Sequence, residues 1–282
     1  MNLPLKVDLN GKVAVVTGAG GILCGSMALA LALSGAKVAL LDINKAAVEK
    51  LAEEIKEAGG DAIPVVCNVL EQQSIKDARQ QVLDAYGPCD ILINGAGGNN
   101  PRATTDSEIF HKDQLGKEKT FFDIGKEDLD FVFGLNFTGT FLPTQEFAKD
   151  MILKEHSNII NIASVNTYLP LTKIPAYAAA KEAVGNFTKW LATYFSDSGI
   201  RVNAIAPGFL ATHQTRPLFY EADGTTPTKR MNKILNGTPM KRLGESHELL
   251  GAILFLLSDE AASFVTGAII PIDGGYTAYS GV

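Results

Sequence analysis

Seven short apolar segments alternate along the chain with longer segments in which apolar residues recur at helical spacing. A short apolar run between turn signals is typical of a strand that is buried on both faces. Such strands, alternating with helices, favour a parallel sheet. The predicted strands are KVAVVT from Lys12, AKVALLD to Asp42, AIPVVC to Cys67, CDILIN to Asn94, NIINIA to Ala163, IRVNAIA to Ala206 and AIIPI to Ile272.

These elements predict the α/β class, as a single Rossmann-type doubly wound domain with a seven-stranded parallel sheet and helices on both faces. The chain has 282 residues and is 46% hydrophobic, which suits one large core and leaves little for a second. We therefore assign residues 1–282 to one domain. Two segments break the alternation after strand ends, at about 98–125 and about 209–243. We interpret them as a substrate-side insertion and a lid region.

Composition narrows the possible partners. A net charge of −6 without a basic cluster argues against a nucleic-acid partner. The start of the chain has no apolar leader, and no later run is long enough to span a bilayer, so no membrane partner is expected. The three cysteines and four histidines show no metal-ligand spacing, so no metal is expected. We expect a cytoplasmic protein with reduced thiols.

A glycine-rich turn, TGAGG, connects the first predicted strand to a helix. Glycines let the backbone approach a pyrophosphate closely, and the helix N-terminus stabilises its negative charge. The candidate cofactor contacts here are Gly18, Gly20, Gly21 and Ile22. This arrangement predicts a dinucleotide cofactor.

Asp42 ends the second predicted strand, 24 residues after Gly18. A carboxylate at this place accepts hydrogen bonds from the adenosine ribose hydroxyls and repels a 2′-phosphate. Ile43 and Asn44 supply no arginine to offset that repulsion, although Lys45 is close in sequence. The sequence therefore favours NAD over NADP, and the alternative interpretation of Asp42 is a helix N-cap.

Ser164, Tyr177 and Lys181 carry the candidate chemistry. Tyr177 and Lys181 are four residues apart in an Ala-rich run after Pro175, so on a helix they share a face. Ser164 follows an apolar run, at the end of a strand where ligands bind. An ammonium roughly 4 Å from the phenol would favour the phenolate by about 4 kcal/mol at an effective dielectric of about 20. We therefore expect a lowered pKa and acid/base chemistry at Tyr177, the alternative being an ordinary surface pair.

These motifs, in their order, resemble the short-chain dehydrogenase/reductase family over nearly every residue from Lys12 to Gly275. The further matching motifs are NGAG at 94–97, GLNFTG at 134–139, Pro-Gly at 207–208 and IDGG at 272–275. The resemblance implies a catalytic tetrad. In it Tyr177 is the acid/base, Ser164 orients the substrate oxygen, Lys181 lowers the tyrosine pKa and holds the nicotinamide ribose, and Asn136 positions a relay water.

The resemblance also implies further cofactor contacts besides those of Tyr177 and Lys181. They are Asn68, Val69, Asn94, Gly95, Ala96, Pro207, Gly208 and Thr212. Two of these positions depart from the family pattern, since Asn68 stands where an aspartate is more usual and Gly95 replaces the second asparagine of N-N-A-G. We expect a modest effect from the first and a lost side-chain hydrogen bond from the second. The family is commonly tetrameric, so a homotetramer is expected.

The insertion and the lid supply polar and cationic candidates for substrate contact, with surface solvation as the alternative. They are Asn99, Asn100, Arg102, His213 and Arg216. An arginine fork suits a carboxylate, so the set fits a sugar acid better than a steroid or an acyl chain. The segments GGNNPRATT and NFTKWLATYFSDSGIRVNAIAPGFLAT resemble short-chain-type D-mannonate oxidoreductases, which implies D-fructuronate/D-mannonate as substrate. Alternatives are a gluconate 5-dehydrogenase or other sugar or polyol dehydrogenase and, in another class, an inactive NAD-binding sensor or scaffold.

Overall fold

The computed structural model describes residues 7–212 and 216–281, apart from the side chains of residues 216 and 217. Seven strands form one fully parallel sheet in the order β3-β2-β1-β4-β5-β6-β7. Their bounds are β1 Val13–Thr17, β2 Lys37–Asp42, β3 Asp61–Val66, β4 Ile91–Asn94, β5 Ser157–Ile162, β6 Ile200–Pro207 and β7 Ile269–Ile272. The predicted fold class and all seven predicted strands are confirmed.

Helices cover both faces of the sheet. Their bounds are α1 Ile22–Leu33, α2 Lys45–Glu57, α3 Gln72–Tyr86, α4 Lys126–Phe133, α5 Gly139–Met151, α6 Pro175–Tyr194, α7 Arg216–Phe219, α8 Lys229–Gly237 and α9 Leu250–Leu257. Successive strand residues face opposite layers. Ala14 and Val16 pack in the layer with α1, α2 and α9, whereas Val13 and Val15 pack in the layer with α3, α5 and α6. Burial on both faces explains why the strands are continuous apolar runs.

Two local features shape the helices that carry the site. A π-helical turn, Gly134–Thr138, joins α4 to α5, and such wide turns recur at functional sites. Pro175 is the first residue of α6, where its fixed φ suits a helix start and its missing N–H costs nothing. Both features place polar side chains at the carboxyl ends of the central strands.

The insertion and the lid region contact each other. The insertion contains the 3-10 turns Pro101–Ala103, Lys112–Gln114 and Phe121–Asp123, and the lid region contains α7 and α8. The Glu108 carboxylate of the insertion accepts hydrogen bonds from the Lys233 ammonium of α8 at 2.8 Å. The Thr105 backbone N–H donates to the Lys173 carbonyl at 2.9 Å. The insertion is thus bound to α8 and to the loop before α6.

Within residues 7–212 and 216–281, no helix has the length and apolarity needed to cross a membrane. The same residues contain no group of three or more His, Cys, Asp or Glu side chains arranged to hold a metal ion. All three cysteines are free and buried.

Candidate active site

The candidate site lies where the central strands end. Strand order reverses between β1 and β4, and in an open α/β sheet this switch point opens a crevice beyond the carboxyl ends of the strands. Thr17 ends β1, Asn94 ends β4, Pro207 ends β6, and Ser164 follows β5 by two residues. The first half of α6 brings Tyr177 to the same crevice, because the Ser164 side chain is near enough to lower the pKa of its phenol.

Ser164 is buried at 7% exposure and adopts an extended backbone at the start of a 3-10 turn, Val165–Thr167. Its Oγ accepts hydrogen bonds from the backbone N–H of Asn166 at 3.2 Å and from Asn166 Nδ2 at 3.1 Å. Its hydroxyl also lies close enough to the Tyr177 phenol to favour the phenolate. The structure therefore brings the predicted serine and tyrosine together, from two different elements.

Lys181 is one turn beyond Tyr177 on α6 and is only 5% exposed. Its Nζ donates to the Ile162 carbonyl at 2.7 Å and lies 5.7 Å from the centre of the Tyr177 ring. Burial lowers the pKa of the ammonium to about 8, partly opposed by the negative charge that Cys24 carries when ionised. Desolvation disfavours a buried charge, so the lysine is mostly protonated at pH 7 and loses its proton as the pH rises above about 8.

Tyr177 is half-buried and packs in an apolar cluster with Ala103, Val132 and Ala176. Burial raises the pKa of its phenol, and the hydrogen bond from Ser164 partly offsets the rise. The expectation of a lowered pKa at Tyr177 is therefore wrong. The physical reason is that desolvation of the phenolate outweighs the attraction of an ammonium that is bonded to a carbonyl instead.

Asn136 is fully buried in the π-helical turn between α4 and α5. Its Oδ1 accepts from the Gly98 N–H at 3.1 Å, while its Nδ2 donates to the Gly98 carbonyl at 2.7 Å and to the Val132 carbonyl at 2.8 Å. A Cβ added to Gly97 would lie 2.6 Å from Asn136 Oδ1 and 3.3 Å from Lys181 Nζ. Asn136 thus holds the first residue of the insertion beside the lysine.

The glycine turn fits a dinucleotide phosphate. Gly18 has a φ of +68°, and a Cβ there would lie 2.8 Å from the backbone N of Ala96, so only glycine is accommodated. The Gly21 N–H donates to the Gly18 carbonyl at 3.0 Å, and α1 begins at Ile22. Because the free N–H groups of a helix start point to the crevice side of a βα turn, an anion is stabilised there.

Asp42 ends β2 beside this turn. Its Oδ2 accepts from the Gly20 N–H at 3.0 Å and its Oδ1 from the Asn44 N–H at 2.9 Å. Each carboxylate oxygen keeps a further lone pair for a ribose hydroxyl. The alternative that Asp42 is a helix N-cap is wrong, because the side chain that caps α2 is that of Asn44, which accepts from the Ala47 N–H.

Thr17 organises the NGAG turn. Its Oγ1 accepts from the backbone N–H groups of Gly95 at 3.0 Å and Ala96 at 3.2 Å. The side chain of Asn94 is buried at 2% exposure, and its Nδ2 donates to Thr144 Oγ1 and Asn161 Oδ1, each at 2.9 Å. The backbone of this turn, rather than the Asn94 amide, is therefore the part available to a cofactor.

The other predicted cofactor positions also lie at strand ends. Asn68 bonds within its own turn, because its Oδ1 accepts from the Leu70 N–H at 3.1 Å and its Nδ2 donates to Glu71 at 2.9 Å. A Cβ on Gly208 would lie 2.7 Å from the Asp273 Cα. The predicted cofactor positions after β3 are Asn68 and buried Val69. Those at and after the end of β6 are Pro207, Gly208 and half-buried Thr212.

Gly95 departs from the family pattern for a steric reason. A Cβ at this position would overlap Cys24 Sγ and would lie 2.9 Å from the Thr17 carbonyl. The buried Cys24 thiol therefore fills the space that a side chain at position 95 would need. The expected lost hydrogen bond is thus accompanied by a compensating packing contact from α1.

We expect Gly95→Ala to lower the free energy of unfolding by about 1–3 kcal/mol, the usual cost of overpacking a close-packed core. Cys24→Ala in the same chain should recover at least half of that loss, because it removes the overlapping sulfur. Urea unfolding of the wild type, both single variants and the double variant measures the coupling. Additive losses in the double variant would show that the two positions do not compete for space.

The predicted substrate residues are only partly brought to the cleft. Asn99 donates to Thr104 Oγ1 at 3.1 Å, and Asn100 caps the first 3-10 turn of the insertion by accepting from the Arg102 N–H at 2.9 Å. Arg102 is 72% exposed, and its Nε pairs with Asp128 Oδ1 of α4 at 3.3 Å. His213 and the side chain of Arg216 lie outside the described residues.

Sequence reasoning missed four residues of this site, which are Thr17, Cys24, Gly97 and Asn166. A polar residue at the end of an otherwise apolar strand was an available signal for Thr17. A Ser-x-Asn spacing at a strand end was an available signal for Asn166, since both residue types form local turns. The role of Cys24 depends on a contact between two elements and leaves no local pattern.

Comparisons with known proteins identify the family of this chain. A family model described as Enoyl-(Acyl carrier protein) reductase matches residues 21–277. The chain belongs to the short-chain dehydrogenase/reductase family and is an oxidoreductase of that class.

Individual relatives match over nearly the full chain. A Haemophilus influenzae crystal structure described as a candidate D-mannonate oxidoreductase with bound NAD is 54% identical, with a TM-score of 0.95 and full coverage of both chains. An uncharacterized oxidoreductase of Haemophilus influenzae is 54% identical over 100% of this chain and 99% of its own. Gluconate 5-dehydrogenase of Gluconobacter oxydans is 31% identical over 98% of this chain and 99% of its own.

Proposed function

We propose that this oxidoreductase uses NAD and interconverts D-fructuronate and D-mannonate. The observation that carries the proposal is the joint placement of Ser164, Tyr177, Lys181 and Asn136 at the cleft, beside a polar insertion. The full-length similarity to a candidate D-mannonate oxidoreductase with bound NAD supports both cofactor and substrate. The glycine turn and Asp42 supply contacts that fit this dinucleotide.

In ketone reduction, the Tyr177 phenol donates its proton to the oxygen of the C5 keto group. Ser164 donates a hydrogen bond to the same oxygen while negative charge develops on it. NADH, when bound, would supply the hydride to the carbonyl carbon. Protonated Lys181, 5.7 Å from the centre of the Tyr177 ring, stabilises the phenolate that remains, and Asn136 holds the backbone next to it. In the oxidative direction the phenolate accepts the proton of the alcohol.

Substrate selection is proposed to come from the insertion and the lid region. Asn99 and Asn100 carry amides that suit sugar hydroxyls. Arg102 would recognise the carboxylate only after leaving Asp128, and its high exposure makes that exchange inexpensive. We also propose that His213 and Arg216, the two candidates from the lid region, contact the substrate. The contact between Glu108 and Lys233 keeps the two segments adjacent.

Steady-state NADH oxidation with D-fructuronate and with 5-keto-D-gluconate tests the substrate assignment. A kcat/KM at least about tenfold higher for D-fructuronate supports it, corresponding to about 1.4 kcal/mol of differential transition-state binding. The similarity to gluconate 5-dehydrogenase makes 5-keto-D-gluconate the second candidate. A higher kcat/KM for 5-keto-D-gluconate would contradict the D-fructuronate assignment and support a gluconate 5-dehydrogenase instead.

Asp42→Ala tests the proposed cofactor preference. We expect kcat/KM for NADH to fall about tenfold or more, because two charge-assisted hydrogen bonds to ribose hydroxyls are lost. The kcat/KM for NADPH should rise relative to that for NADH, because the carboxylate that repels the 2′-phosphate has been removed. The measurement is the ratio of kcat/KM for the two cofactors with one ketone. An unchanged ratio would contradict the role of Asp42.

We further propose a cytoplasmic homotetramer, with free thiols that suit a reducing compartment. Support comes from stacked aromatic side chains on the outer face of α5 and α6. Trp190 and Tyr194 are 54% and 66% exposed, with ring centres 4.8 Å apart, and Phe187 stacks on Phe141. Such an exposed apolar patch is typical of a subunit interface.

Light scattering after size-exclusion chromatography tests this assembly. We expect the wild type to elute at four times the chain mass and Trp190→Glu to elute at a smaller mass, because a carboxylate cannot be buried there without a partner. Lys189→Glu, on the neighbouring helix position, is the control for added negative charge. A monomeric wild type would contradict the proposed interface.

A further inference from the structure

Asn166 lies two residues after Ser164 and is 4% exposed. Its side chain uses both ends of its amide. Nδ2 donates to Ser164 Oγ at 3.1 Å, and Oδ1 accepts from the backbone N–H of Leu171 at 3.0 Å. Its own backbone N–H donates to Ser164 Oγ at 3.2 Å. Neither the assigned oxidoreductase class nor the proposed tetrad gives this residue a role.

The orientation of the Asn166 amide follows from its partners. The Leu171 backbone N–H can only donate, so the amide atom that faces it must be the oxygen. The NH₂ group must then face Ser164. Asn166 is therefore a donor to the serine, and its amide cannot flip without placing two N–H donors against each other.

The Ser164 hydroxyl has one O–H donor and two lone pairs. Both lone pairs receive N–H groups of Asn166, so only the O–H remains for other partners. We propose that Asn166 is a positioning residue that holds the Ser164 hydroxyl as a hydrogen-bond donor towards Tyr177 and the substrate oxygen. The proposal rests on the function proposed above for Ser164 and Tyr177.

A fixed donor suits the reaction. The substrate oxygen gains negative charge during hydride transfer, and a donor already aimed at it needs no reorientation at that moment. A serine with a free lone pair could rotate and present an acceptor instead. Among small variants, aspartate can accept from Leu171 but cannot donate when ionised, whereas alanine can do neither.

The same hydrogen bond affects the proton affinity of Tyr177. The Ser164 O–H stabilises the phenolate and lowers the pKa of Tyr177 against the effect of burial. Among the described residues, the ionisable groups near this phenol are Lys181 on α6 and, next to that lysine, Cys24 on α1. The neighbouring side chains of Ala103 and Val132 carry no charge. Loss of the serine hydrogen bond should therefore raise the pKa of Tyr177.

The test compares Asn166→Ala and Asn166→Asp, each in the wild-type chain and in the Ser164→Ala chain. The assay uses NADH with D-fructuronate or 5-keto-D-gluconate, whichever the wild type reduces. We expect kcat to fall about tenfold in Asn166→Ala and about a hundredfold in Asn166→Asp, because the carboxylate draws the serine O–H to itself. In the Ser164→Ala chain, both replacements should change kcat less than about twofold.

A second readout needs no substrate. Ultraviolet difference titration against Tyr177→Phe reports the ionisation of Tyr177 alone. We expect its pKa to rise by about one pH unit in Asn166→Asp, which is a tenfold decrease in the acid dissociation constant of the phenol. The matched control is Asn203→Asp, an equally buried amide whose Oδ1 accepts from Ala268 and whose Nδ2 donates to Val265. It should lower stability without changing the pKa of Tyr177.

The outcomes separate this inference from the proposed function. If Ser164→Ala keeps full activity, the catalytic proposal itself fails. If Ser164→Ala loses activity while Asn166→Asp keeps wild-type kcat and titration, only the positioning role is overturned. Equal losses from Asn166 replacement with and without Ser164 would also overturn it, because they would assign Asn166 to the Leu171 loop alone.

Discussion

Replacing Tyr177 with phenylalanine is expected to lower kcat for ketone reduction by about 10³-fold, within the range that a positioned general acid contributes. The ring should keep its packing against Ala103 and Val132, because only the hydroxyl is removed. NADH affinity should stay within about twofold of the wild type. Steady-state kinetics and fluorescence titration with NADH measure the two quantities.

Tyr194→Phe is the matched control, since Tyr194 lies on the same helix but is 66% exposed at its far end. It should keep wild-type kcat. The two variants also distinguish an enzyme from an NAD-binding sensor or scaffold. A sensor or scaffold should bind NADH equally well with either substitution and show no turnover that Tyr177→Phe could remove. Full turnover by Tyr177→Phe would remove the proposed acid/base from the mechanism.

Lys181→Met is expected to lower kcat by about 10²–10³-fold, because the phenolate of Tyr177 loses its neighbouring positive charge.

The same variant should also change the pH dependence of the free energy of unfolding. Burial lowers the pKa of Lys181 from 10.5 to about 8 in the folded protein. Between these values the unfolded chain binds more protons, so stability from this group rises with pH.

The wild type should therefore gain on the order of 2 kcal/mol relative to Lys181→Met between pH 7 and pH 10, from a pKa difference of about 2.5 units. Comparing the two proteins cancels the titrating groups that they share. The lost hydrogen bond to the Ile162 carbonyl adds a constant offset, which does not affect the change with pH. Urea unfolding at several pH values gives the difference. A constant difference across this range would mean that the folded lysine has an ordinary pKa.

The strands could be predicted because their signal is local. A strand such as Val13–Thr17, buried on both faces, must be apolar throughout, and each predicted strand lies within about two residues of the observed one. The placement of Ser164 and Tyr177 followed from the same logic, since a residue after a parallel strand and a helix that packs behind it meet at one edge of the sheet.

The features of the site that the sequence did not predict depend on distances between secondary-structure elements. The pKa of Tyr177 is set by how far burial outweighs the charge of Lys181, and the sequence does not specify that the ammonium bonds to the Ile162 carbonyl. The sequence also gives no sign that Asp128 on α4 is near enough to pair with Arg102, the residue predicted to contact a substrate carboxylate. The overlap between Cys24 and position 95 likewise exists only once α1 packs on the sheet.

The most direct test of the central claim follows the hydride. NADH with deuterium at both C4 positions is oxidised by the wild-type protein in the presence of D-fructuronate, and the product is analysed by NMR and mass spectrometry. We predict D-mannonate with one deuterium, bonded to C5, formed about 10³-fold more slowly by Tyr177→Phe. Consumption of labelled NADH without deuterium at C5, or no reaction with D-fructuronate, would contradict the proposed hydride transfer to this sugar acid.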